Sequence, residues 1–262
     1  MIQLFDPYQE RLQGRNLLAS DDVTVPAGGR ATARLDGRDG GQYGVLALSV
    51  DTTEPGQILS LSTLDGDLTL VEGVHAQAIS RIFERRAYDL AAPFVVRQGE
   101  FLRATFTNPT TTESSNSVLV QGLPKTLLRQ RRESILQNVD SVPDVQFGYV
   151  SAQGVPPGER RTLQFELPKG SWATDHIGIV APGSEDAVSV SVESKDDILI
   201  DEILVSDLQR YSEHRLSLVN PVPIGGSETL KLIVDNAASS EASVSAVTPL
   251  YERVQTLARV IQ

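Results

Sequence analysis

Apolar and polar positions alternate along this chain in short segments, each closed by a turn signal. Positions 23–25 and 31–35 alternate about the turn Pro26-Ala27-Gly28-Gly29. Residues 44–50 are almost all apolar, as expected of a strand covered on both faces. Residues 58–64, 68–71, 94–96, 101–107 and 117–120 complete a first set of strands. Between them Ala78, Ile79, Ile82 and Phe83 fall at helical spacing and predict a crossing helix. Residues 162–167, 177–180, 187–192, 198–200, 216–219, 229–234 and 242–247 give a second set. Short strands rich in Val, Ile, Leu and Thr, with a turn roughly every 8–12 residues, predict antiparallel sandwiches. About eight strands per set favours a jelly roll over a seven-stranded immunoglobulin unit.

The two sets are related in sequence. V-P-A-G-G-R-A-T begins at Val25 and V-P-P-G-E-R-R-T at Val155, a constant offset of 130. Asp67-Leu68-Thr69-Leu70 aligns with Asp197-Ile198-Leu199-Ile200 at the same offset. Later, Leu102, Phe106 and Asn108 match Leu230, Val234 and Asn236 at an offset of 128. Such self-similarity marks a repeated structural unit. Within it, Pro and Gly set a turn and Thr opens the next strand. Arg30 and Arg160 are expected to make an equivalent ion pair in each unit.

After Pro124 and after Pro249 the sequence predicts an amphipathic helix, since Pro suits a first helical turn. Leu250, Val254, Leu257 and Ile261 form one apolar stripe, and Leu127, Leu128 and Ile135 are apolar positions of the first helix. These are the candidate assembly or packing positions. The chain therefore reads as all-β: two tandem, internally duplicated, jelly-roll-like antiparallel β-sandwiches, each followed by a short helix. The expected boundaries are an N-terminal arm over 1–19, a first sandwich with connector helix over 20–138, a linker over 139–149, and a second sandwich with its helix over 150–262.

Composition narrows the function. With 262 residues, 40% of them hydrophobic, the chain can build two cores. A net charge of −11 opposes nucleic-acid binding by the surface as a whole. There are no cysteines, which removes disulfides, zinc–thiolate sites and thiol catalysis. The N-terminus has no basic and apolar leader pattern, so no signal peptide is expected, and no apolar run is long enough to span a bilayer.

No catalytic set is visible. His75, His176 and His214 share no metal-ligand spacing, and no G-x-S-x-G, P-loop or G-x-G-x-x-G occurs. Neither enzyme activity nor a cofactor is expected. Asp36, Asp39, Asp65, Asp67, Asp196 and Asp197 sit in turns, where Asp is favoured for backbone reasons before any calcium or glycosidase role. Arg81, Arg85 and Arg86, with Arg129, Arg131 and Arg132, form a candidate basic contact patch. Trp172 is the single tryptophan, and a place at the rim or in the core is expected of it ahead of a sugar platform.

On the repeat and the strand rhythm over residues 20–262, the chain resembles the compact double-jelly-roll coat proteins of icosahedral viruses. That resemblance implies a virion shell subunit whose partners are itself, as a pseudo-hexameric trimer, and other shell proteins. It carries over no motif residues. A carbohydrate- or receptor-binding module and a β-sandwich hydrolase are the competing readings.

Overall fold

The computed structural model describes residues 17–36, 43–63, 69–83, 94–96, 101–124, 145–195, 197–211, 216–224 and 229–252. The first half contains β1 (Leu17–Val25), β2 (Arg30–Asp36), β3 (Tyr43–Thr52), β4 (Ile58–Thr63) and β5 (Thr69–His75). Helix α1 (Ala76–Phe83), β6 (Phe94–Val96), β7 (Phe101–Thr107) and β8 (Ser114–Pro124) follow. The second half contains β9 (Val145–Val155), β10 (Arg160–Gln164), β11 (Trp172–Val180), β12 (Val188–Glu193) and β13 (Ile198–Leu204). It closes with α2 (Val205–Tyr211), β14 (Leu216–Ile224), β15 (Lys231–Asn236) and β16 (Ala242–Glu252).

The sheets are antiparallel with orders β1-β8-β3-β6 and β2-β7-β4-β5, then β9-β16-β11-β14 and β10-β15-β12-β13. Raising every strand number of the first pair by eight gives the second pair. Each pair is a jelly roll, two four-stranded sheets face to face. Alternate residues point between the sheets. In the first sandwich Leu35, Leu48, Leu59, Leu102 and Phe106 are buried there, and in the second Phe165, Ile177, Val190, Leu232 and Val244. Each such side chain contributes roughly 1.5–3 kcal/mol by leaving water.

The repeated Val-Pro-x-Gly turn has a physical partner in the repeated asparagine. Gly28 and Gly158 lie at φ +63° and +72°, a left-handed conformation that favours glycine. Asn108 N–H donates to Gly29 O at 3.0 Å, and Asn236 N–H to Glu159 O at 3.0 Å. The buried Asn108 side chain donates through Nδ2 to Val25 O, Pro26 O and Thr112 O. Its Oδ1 accepts from Thr110 N–H, Thr110 Oγ1 and Gln57 Nε2. Asn236 does the same with Val155 O, Ser240 O and Ala238 N–H. Each asparagine thus ties the turn between the first two strands of its sandwich to the loop between the last two.

Several expectations change. Strand β9 begins at Val145, inside the stretch read as a linker, and β1 begins at Leu17, inside the stretch read as an arm. Leu250 does not start a helix: β16 runs through Pro249 to Glu252, Leu250 is buried in the second core, and Pro249 pairs with Phe147. Proline is tolerated there because the ladder from β16 to β11 is interrupted between Val247 and Tyr251. Pro124 likewise ends β8. At the repeated turn the ion pair is Arg161 with Glu159, at 3.2 Å and exposed, in place of one from Arg160. The first sandwich has Gly29 at the place of Glu159, so that pair has no counterpart there. Leu127, Leu128, Ile135, Val254, Leu257 and Ile261 lie outside the described residues.

Candidate functional site

The structural feature with the most specific chemistry is the seam between the two sandwiches. Strand β5 packs against β9 and β16, and α1 packs on β3 of its own sandwich and on β11 and β16 of the other. Strand alternation explains the division of labour on β9. Val150 and Ala152 face the second core, while Phe147 joins the first sandwich's cluster and Tyr149 packs against it. Val180 and Val247, on β11 and β16, also belong to the first cluster. The outer face of one sheet of the second sandwich is therefore buried by the edge strand and helix of the first. Gly148, between Phe147 and Tyr149, packs tightly within its own sandwich, since a Cβ there would lie 2.8 Å from Leu167 Cδ2 and 3.0 Å from Thr248 Cγ2.

A hydrogen bond crosses the seam. His75 N–H, at the end of β5, donates to Ser245 Oγ on β16 at 3.0 Å, and Ser245 Oγ meets Ser151 Oγ on β9 at 3.0 Å. The His75 ring is buried, with no hydrogen-bond partner at Nδ1 or Nε2. Burial lowers its pKa to about 4, opposed in part by the Gly56 main chain, which lies close without completing a hydrogen bond. At the open end of the seam, Thr69, Leu70, Phe147, Tyr149, Glu166 and Leu167 line a shallow groove. Burial there, with the carboxylates of Glu72 and Glu166, pushes the Tyr149 hydroxyl up from its usual value.

The sign of the His75 effect is fixed by these observations. Its folded-state pKa lies below its unfolded value near 6.5, so between about pH 6.5 and pH 4 only the unfolded chain takes up the proton. Stability is full above that window and falls as pH drops through it, by about 3 kcal/mol in all. Urea unfolding at pH 7.5 and pH 4.5 should show this loss in the native chain. His75→Leu should remove most of it, and an unchanged pH slope in that variant would contradict the assignment.

The sequence-selected residues do not converge on this seam. Trp172 is buried, and its Nε1 donates to Pro168 O at 3.0 Å, so it is a core side chain and not an exposed sugar platform. Asp197 O accepts from Ser194 N–H, which is turn chemistry. Thr174 and Thr248, joined by a very short Oγ1–Oγ1 contact, both donate to His176 O at the bulge of β11. Arg81 lies on α1, while Arg85, Arg86, Arg129, Arg131, Arg132 and His214 fall outside the described residues. Among the described residues no cluster of three or more His, Asp or Glu stands ready for a metal, and no helix is long and apolar enough to cross a membrane. The seam residues His75, Ser151 and Ser245 carry no spacing signal, because they meet only through the packing of two sandwiches.

No protein-family model matches the sequence, and no curated protein matches it. Solved structures do. The major capsid protein of Sulfolobus turreted icosahedral virus is 10% identical, with a TM-score of 0.47 over 90% of this chain and 96% of that one. In the atomic structure of the whole virus the values are 11% and 0.48, over 92% and 93%. The major capsid protein of bacteriophage PM2 gives 13% and 0.43, over 88% and 97%.

Proposed function

We propose that this chain is a non-enzymatic structural protein, a virion shell subunit that assembles with copies of itself as a homotrimer and with other shell proteins. The observation that supports this reading is the double jelly roll with its directional internal seam. An edge strand and helix of one sandwich seat on a sheet face of the next, and that contact is heterologous rather than self-complementary. Heterologous contacts generate rings and extended arrays. Two fused, similar sandwiches let three chains approximate six-fold packing while closing as a trimer. In the same reading the sandwiches arose by duplication. The apolar positions Leu127, Leu128, Ile135, Val254, Leu257 and Ile261 and the arginines after α1 and after Pro124 supply further subunit contacts.

The test is mass against concentration. Size exclusion with light scattering should give three times the chain's 28.4 kDa, and electron microscopy of any native particle should place many copies in its shell. A strict monomer at the highest soluble concentration would overturn the proposal.

A further inference from the structure

The strand registers give an equivalence between the sandwiches that is more exact than the sequence repeat. Leu59 pairs with Phe106 and Val74, and Val190 with Val234 and Ile203. Since Phe106 and Val234 each stand two residues before the locking asparagine, Val74 corresponds to Ile203. By the same pairings His75 corresponds to Leu204, as partners of Ile58 and Ser189, and Thr69 to Ile198, as partners of Ser62 and Glu193. On the other sheet, Ser114 pairs with Val25 as Ala242 pairs with Val155. Ser117 then corresponds to Ser245 and Leu119 to Val247. Helix α2 begins where α1 does, directly after the edge strand.

Among the described residues the exposed large hydrophobic side chains are Leu119, Ile198 and Leu204, at 44%, 63% and 38% exposure. All three occupy places whose equivalents lie in the internal seam. Val247 is fully buried there, His75 donates across it, and Thr69 lines its groove. The second sandwich thus presents an uncovered copy of the edge that the first has docked. The first presents an uncovered copy of the face that the second has buried.

We propose that these two surfaces dock on each other between copies of this chain, repeating the internal seam. Strand β13 and α2 of one copy seat on the outer face of β8 and β3 of the next. Leu204 N–H meets Ser117 Oγ there, as His75 N–H meets Ser245 Oγ within the chain. The inference rests on the shell-subunit reading and adds the residues through which copies meet. Asp22 and Asp51, both paired with Ser117, and Asp201 on β13 are exposed carboxylates on these strands. The association is therefore to be measured at an ionic strength that screens them.

The absence of native cysteine makes the test clean. In the full chain, Leu204→Cys combined with Ser117→Cys should give, under mild oxidation, disulfide-linked dimers and larger species, while each single variant gives no head-to-tail ladder. As a second reading, Leu119→Asp and Ile198→Asp should keep the native unfolding midpoint and lose association at least tenfold. If the unmodified chain oligomerises but the double-cysteine variant forms no linked species and Leu119→Asp still associates, this interface is wrong and the shell reading survives. If the unmodified chain stays monomeric at every concentration, both fall.

Discussion

Val247→Asp is expected to cost this chain about 4 kcal/mol and to uncouple its two halves. Val247 belongs to the second sandwich by chain and to the first by packing, and it is fully buried between them. The substitution removes an apolar contact worth roughly 2 kcal/mol and puts a charge into a buried apolar cluster. Because Trp172 is the single tryptophan and lies in the second core, its fluorescence reports that sandwich alone. In the native chain, fluorescence and far-ultraviolet circular dichroism should follow one denaturant transition. In the variant the midpoint should fall and the two signals should separate. Coincident curves at the native midpoint would show that the seam does not couple the sandwiches.

Asn108→Ala should be nearly as damaging, at about 4 kcal/mol. Its side chain serves three carbonyl oxygens and accepts three hydrogen bonds from a fully buried position. Truncation leaves several of these groups unpaired, and each buried unpaired group costs about 1–3 kcal/mol. Asn108→Asp should be no better, since a carboxylate cannot donate to Val25 O, Pro26 O or Thr112 O. Asn236→Ala, with fewer partners, should lose about 2–3 kcal/mol, visible directly in Trp172 fluorescence. The order of effects is itself a check: if Asn236→Ala proves the more harmful, the count of side-chain hydrogen bonds is not what sets the cost.

Much of the architecture was legible in the sequence because turn chemistry and alternation are local. Gly28 and Gly158 announce their turns, and Asn108 and Asn236 align at the ends of corresponding strands. Strand β9 was not legible. Gly148 and Gly154 break its alternation, and Gly148 is small because Leu167 and Thr248 press on it from elsewhere in the chain. Helix α2 is seven residues long with Val205 and Leu208 buried, too short to establish a period. Leu250 sits at helical spacing from residues beyond it, yet pairing with β9 and burial in the core hold it in a strand.

The seam was hidden for a subtler reason. Matching Asp67-Leu68-Thr69-Leu70 to Asp197-Ile198-Leu199-Ile200 keeps the constant offset of 130, but the strand registers make Thr69, not Leu68, the equivalent of Ile198. A slip of one residue turns every side chain of a strand to its other face. Read by that offset, Leu204 corresponds to Val74, a core residue of the first sandwich. Read by register it corresponds to His75, at the seam.

That single replacement gives the molecule an uneven response to acidity. The buried imidazole at the joint within the chain can take a proton, and the leucine at the matching place on the outward edge cannot. Whatever that outer edge meets, acid acts first on the joint that holds each polypeptide's own two halves together.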